Sequence, residues 1–136
     1  MRILLHGGFH KTGTTSLQAA LVAHRPILAA RMQIETLRRN PGLLQATEAA
    51  RAFSVDGDRP ALDRALQGWV AGLSVAAGQD LVISSEDFAG HMPGRFGLVD
   101  YRAAVVTLSA VVQALGARFL GAEITVLLTT RAAGPW

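Results

Sequence analysis

The residues best equipped for chemistry form one run near the start of this 136-residue chain, Gly7-Gly8-Phe9-His10-Lys11-Thr12-Gly13-Thr14-Thr15-Ser16. The run follows an apolar, strand-like segment and leads into a helical pattern, which is the context a phosphate-gripping loop requires. Small residues let backbone N–H groups converge on phosphate oxygens. A helix opening near Thr14 adds unpaired N–H groups and the positive end of its dipole. Thr14, Thr15 and Ser16 supply hydroxyl donors. Lys11 supplies a compact, mobile charge. Gly8 and Gly13 keep the G-x-x-x-x-G frame of nucleotide-binding loops, but the triphosphate-binding form carries Lys directly after the second Gly. Here that place is Thr14 and the lysine lies inside the loop, which argues against an ATPase or kinase. Lys11 is the sole lysine in the chain. The other basic residues, 12 of 13, are arginine. A site that needs a point charge to follow a developing negative oxygen accounts for the exception.

A second group of candidates follows Leu81-Val82-Ile83-Ser84-Ser85. Glu86 and Asp87 stand just past the end of this strand-like run, where α/β sheets place their working groups. Transfer of a group to an alcohol needs a base near the acceptor hydroxyl. Glu86 is the first candidate, Asp87 the second and His91 a third. Acidic residues after a strand also cap the next turn, so base and cap stand side by side as readings. His6 reads as structural. His10 belongs to the loop and has no chemistry of its own assigned.

These residues need elements to hold them. Arg2 to His6, Asp80 to Ser84 and Glu123 to Thr129 each read as a short buried strand rich in Ile, Val and Leu. Between them lie helical patterns: Thr15 to Ala23, a restart over Pro26 to Met32, Leu43 to Phe53, Pro60 to Leu73 and Leu98 to Leu115. Leu62, Leu66, Trp69, Val70 and Leu73 fall on one face at helical spacing. Asp56-Gly57-Asp58 is the turn before that helix, and Asp100 is a cap candidate for the last one. The segment from Ile34 to Asn40 is assigned to no element. Alternating strands and helices imply a single α/β domain with a parallel sheet. The third strand reaches Arg131 and the sequence stops at Trp136, so a domain incomplete at its C-terminus is expected.

His10-Lys11-Thr12-Gly13-Thr14-Thr15-Ser16-Leu17-Gln18 closely resembles the 5′-phosphosulfate loop of sulfotransferases, bacterial ones especially. The resemblance implies a three-layer fold related to the P-loop nucleoside-triphosphate enzymes, a parallel sheet flanked by helices. It implies 3′-phosphoadenylyl sulfate as donor and adenosine 3′,5′-bisphosphate as the product left behind. Lys11 would then contact the leaving phosphosulfate oxygen, while Thr14, Thr15 and Ser16 hold the 5′-phosphate. The expected binding segment is Gly8, His10, Lys11, Thr12, Gly13, Thr14, Thr15 and Ser16. Ser84-Ser85-Glu86-Asp87 is similar to the corresponding strand end in bacterial members, which favours Glu86 as base. In the family an Arg at the end of this later strand contacts the 3′-phosphate, and Arg131 matches that place. The serine that shares the task in the family has no counterpart before Trp136.

Composition bounds the rest. Half of the residues are apolar and 17% are charged, enough for a real core. With no cysteine, disulfides and cysteine–zinc sites are excluded. The net charge of +3 is scattered, and no nucleic-acid stripe stands out. No targeting segment or membrane span is legible, so a soluble cytoplasmic protein is expected. No metal is expected, because Lys11 and the helix end would neutralise the leaving group. Two other readings remain: a P-loop kinase or NTPase using Mg-ATP, and a non-catalytic nucleotide-binding fragment. The acceptor is open among sugar, lipid, peptide tyrosine and small phenol, and so is the oligomeric state.

Overall fold

The computed structural model describes residues 1–37 and 40–130. The elements in order are β1 (Arg2–His6), α1 (Thr14–Leu28), β2 (Met32–Thr36), α2 (Pro41–Asp56), α3 (Arg59–Ala71), β3 (Asp80–Ser84), a 3₁₀ turn (Glu86–Ala89), α4 (Ala103–Arg118) and β4 (Glu123–Leu127). The four strands form one all-parallel sheet in the order β2-β3-β1-β4. Every crossover therefore carries at least one helix, as parallel pairing demands. The fold is the three-layer α/β arrangement with helices on both faces of the sheet.

The period of two along the strands decides which residues meet which layer. Ile3 and Leu5 of β1 and Leu81 and Ile83 of β3 are buried together with Leu43, Leu62, Leu66, Val111 and Leu115. That side of the sheet is the main core, covered by α2, α3 and α4. The alternate residues His6 and Ser84, paired in register, face the other way. On that side lies α1, which contributes no residue to the core cluster. Polar ties join it to the sheet: Gln18 Nε2 donates to Ser84 O at 3.3 Å, and an Arg25 guanidinium N–H donates to Ile34 O.

Local rules set the helix ends. Asn40 Oδ1 accepts from Leu43 N at 2.9 Å, and Pro41 takes the first turn of α2, where its missing N–H costs nothing. Asp58 Oδ1 does the same for α3 through Ala61 N at 2.9 Å. Between them Gly57 adopts φ 73° and returns its N–H to Phe53 O, closing α2 in the left-handed conformation that glycine allows. The expected turn at Asp56-Gly57-Asp58 is thus a cap for each helix. The apolar face of Leu62, Leu66, Trp69, Val70 and Leu73 is buried throughout.

Several expectations need correction. Pro26 does not restart a helix. It sits in the last turn of one continuous α1, where only the bond to the carbonyl one turn back is lost. Residues 32–36 form a fourth strand, β2, an edge strand whose outward Gln33 and Glu35 hide its period. The last strand is not buried. β4 is the other edge, and Val126, Leu127 and Leu128 are 39%, 42% and 45% exposed among the described residues. The last helix begins at Ala103, later than Leu98. Its buried face is Ala104, Leu108, Val111 and Leu115, while Val105 is exposed. Asp100 does not cap it; its carboxylate accepts from the backbone N–H and guanidinium of Arg102 and closes a turn. Among the described residues no helix is long and apolar enough to cross a membrane.

Candidate functional site

The glycine loop leaves β1 at the carboxyl edge of the sheet and feeds α1. Two backbone bonds carry it along the end of β4, Gly7 N to Leu127 O at 3.1 Å and Phe9 N to Thr129 O at 3.0 Å. Gly8 is required by closeness. A Cβ there would meet Thr129 Oγ1 at 1.9 Å. Gly13 is required by conformation, with φ 87° as the residue before α1. The space above it is open, since nothing lies within 4 Å of where a Cβ would stand. No side chain among the described residues caps α1, so its first N–H groups have no side-chain acceptor. Lys11 also adopts a left-handed conformation, φ 63°. For a residue with a side chain this is strained by roughly 1–2 kcal/mol, and such strain collects at functional loops.

A hydrogen-bonded chain fixes the loop from below. Ser84 Oγ lies 2.9 Å from His6 Nδ1, and His6 Nε2 lies 3.2 Å from Thr129 Oγ1. Thr129 Oγ1 lies 2.9 Å from Thr12 Oγ1, which donates to Phe9 O at 2.5 Å. The last acceptor is a carbonyl, which has no proton to give, so the donors are determined as far as His6 Nε2, and a neutral ring sets the remaining one. Thr12 donates to Phe9 O, Thr129 donates to Thr12, His6 Nε2–H donates to Thr129, and Ser84 donates to His6 Nδ1. The chain needs a proton on His6 Nε2, and in the neutral ring Nδ1 accepts from Ser84. Burial agrees: it pushes the His6 imidazole below its ordinary value, against a weaker opposite pull from Glu86. The structural reading of His6 holds.

Beside the loop is a cleft of about 370 Å³ lined by His10, Lys11, Gly13, Thr14, Thr15, Arg51, Glu86, Asp87, His91, Met92 and Arg95. It brings Lys11 and Glu86, 75 positions apart, to one cavity. Glu86 and Asp87 open the 3₁₀ turn, yet neither caps it. Ser85 does, its Oγ accepting from Asp87 N at 3.3 Å. The cap reading of these carboxylates is thereby corrected. Asp87 Oδ1 lies 3.6 Å from His10 Nε2, and His10 Nδ1 lies 3.1 Å from Tyr101 Oη. The Phe9 and Tyr101 rings pack at 4.5 Å between centroids, which anchors this side of the loop to the segment before α4. Glu86 makes no side-chain hydrogen bond or ion pair among the described residues. Of the two carboxylates it is the one not engaged by the protein.

The loop residues divide by role. His10, Lys11, Gly13, Thr14 and Thr15 line the cleft. Thr12 and Gly8 face the bracing chain instead. Ser16 is exposed on α1 and does not line the cleft. Arg131 lies outside the described residues. His91 is drawn in from solvent: its N–H donates to Ser54 Oγ at 3.0 Å, and its ring packs on Phe96. Burial, then the nearby Arg51 guanidinium, hold it below its ordinary value. Sequence reasoning missed Arg51 and Arg95. Arg51 is one position of α2, and no local pattern marks it; only the packing of Gly90 against Ser54 brings the two segments together. Among the described residues no three His, Asp or Glu side chains cluster as metal ligands.

A second depression, about 410 Å³, lies between α3 and α4 around Leu66, Val70, Ala110 and Ala114. Its one carboxylate, Asp63, is already bonded to Arg59 at 2.7 Å. The groups suited to chemistry gather instead at the cleft beside the loop. Comparison with protein-family models, with curated proteins and with solved structures gives no match.

Proposed function

We propose that this chain transfers a sulfuryl group from 3′-phosphoadenylyl sulfate to an acceptor hydroxyl. The observation that carries the reading is the meeting of Lys11, strained on an open glycine loop before an uncapped helix, with an unengaged Glu86 in one cleft. The open space over Gly13 and the uncapped start of α1 suit a phosphate.

The donor supplies an electrophilic sulfur bonded through oxygen to a phosphate leaving group. The N–H groups of Thr14 and Thr15 and the hydroxyls of those residues hold the 5′-phosphate. Glu86 accepts the proton of the acceptor hydroxyl as its oxygen bonds to sulfur. The sulfur–oxygen bond to phosphate breaks, its electron pair stays on the phosphate oxygen, and Lys11 neutralises the charge that gathers there. This is catalysis by positioning and electrostatics. Arg131 is the proposed partner of the 3′-phosphate.

Calorimetric titration with adenosine 3′,5′-bisphosphate, beside ATP with and without Mg²⁺, tests the reading. Binding of the bisphosphate without metal is the expected result. Preference for Mg-ATP overturns it in favour of a kinase or NTPase. Donor binding without turnover on any acceptor would make the chain a nucleotide-binding module instead.

A further inference from the structure

Two cations of the cleft have no part in the proposed donor contacts. Arg51 comes from α2, and Arg95 from the segment after the 3₁₀ turn. The two elements are locked together. Ser54 Oγ donates to Arg51 O at 2.6 Å and accepts from His91 N at 3.0 Å. A Cβ on Gly90 would strike Ser54 Cβ at 2.7 Å. Arg51, one helical turn before Ser54, is thus set beside His91, with Arg95 four positions further on. Neither arginine forms an ion pair among the described residues. The two carboxylates that line the same cleft form no ion pair with them: Asp87 Oδ1 lies 3.6 Å from His10 Nε2, and the proposed reaction uses Glu86.

Arg51, Arg95 and Lys11 outnumber Glu86 and Asp87 in this cleft, and two guanidinium groups that no carboxylate pairs among the described residues make an anion site. Their field reaches His91: burial first, then Arg51 with Arg95 adding to it and Asp87 opposing, holds its imidazole below the ordinary value. His91 therefore adds a neutral ring rather than a third cation. In the proposed reaction Lys11 and the start of α1 already serve the donor.

Resting on the sulfuryl-transfer reading, we infer that Arg51 and Arg95 form the acceptor subsite and select an anionic acceptor, a hydroxyl compound bearing a carboxylate or sulfate near the reacting oxygen. The acceptor's charge pairs with the arginine forks and turns its hydroxyl toward Glu86. A neutral acceptor leaves both cations unpaired and binds more weakly. Because the contact is between charges in a partly open cleft, it weakens as salt rises.

The test uses calorimetry on the full chain saturated with adenosine 3′,5′-bisphosphate, with three probes of equal length: a galacturonic acid oligosaccharide, a sulfated galactose oligosaccharide and the neutral galactose oligosaccharide. The anionic probes should bind at least about tenfold more tightly than the neutral one, consistent with one charge-assisted contact. In Arg51→Gln/Arg95→Gln that preference should disappear, while affinity for the bisphosphate changes by less than about threefold. Arg51→Lys/Arg95→Lys, which keeps the charge, should restore part of it and shows that the loss is not misfolding. No preference for either anion in the wild-type protein overturns the inference. So does a large loss of bisphosphate affinity in the glutamine variant, which would assign the arginines to the donor. The same titrations without bisphosphate separate the two ideas. If the wild-type chain fails to bind bisphosphate but still prefers anionic probes through Arg51 and Arg95, the donor reading fails and the anion site stands.

Discussion

Replacing Gly8 with Ala puts a methyl group 1.9 Å from Thr129 Oγ1, a distance real side chains do not reach. The hydroxyl is the movable partner, and rotating Thr129 about χ1 relieves the overlap. That rotation breaks the bonds to His6 at 3.2 Å and to Thr12 at 2.9 Å. At about 0.5–1.5 kcal/mol for each net hydrogen bond, Gly8→Ala should cost about 1–3 kcal/mol. Thr129→Ala alone loses the same two bonds and should cost a similar amount. In the double variant the hydroxyl that clashed is gone and the bonds are lost only once. The remaining neighbours, Thr129 Cβ at 3.2 Å and His6 Nε2 at 3.1 Å, require shifts of only a few tenths of an ångström. The double variant should therefore be about 1–2 kcal/mol more stable than the sum of the single costs predicts. Urea unfolding of the four proteins measures this coupling, and an unchanged m-value shows that the comparison is of like states. Additivity within about 0.5 kcal/mol would refute the bracing chain, because the two residues would then not share an interaction.

Lys11→Gly should abolish sulfuryl transfer without lowering the melting temperature, since glycine relieves the left-handed strain at φ 63°; a clear loss of stability would show that Lys11 is structural. Glu86→Gln should slow transfer by roughly 10²–10⁴-fold with little change in stability, because Ser85 and not Glu86 caps the turn; a rate within a few-fold of wild type removes Glu86 as base. His6 gives a pH prediction. Its folded pKa is held below the ordinary 6.5, so the unfolded state binds the proton first, and stability is present above that value and falls as pH drops toward the folded pKa. Between about pH 7 and 5 the wild-type protein should lose stability more steeply than His6→Gln, as followed by thermal melts; parallel curves would mean that His6 carries no such constraint.

The sequence alone determined the class of the fold and the loop side of the cleft. Apolar runs at 2–6 and 80–84 coincide with β1 and β3, because strands buried in a parallel sheet need no partner to be recognised. The glycine loop was equally legible, since conformational freedom at Gly13 and close approach at Gly8 are written as residue type. β2 was not legible. An edge strand has one neighbour and tolerates Gln33 and Glu35, so its pattern falls below that of a core strand. The exposure of β4 was hidden for the opposite reason: its residues are as apolar as those of β1, and only its place at the sheet edge leaves them uncovered. The role of Glu86 was undecided in sequence, because a carboxylate after a strand fits a cap or a base. The structure gave the cap to Ser85. Arg51 and Arg95 were beyond sequence reading altogether. Their meeting depends on the docking of the segment around Gly90 against Ser54, a long-range contact between residues 36 positions apart. Local patterns report what each residue can do by itself, whereas a binding site is set by which surfaces pack together, and only the tertiary structure decides that.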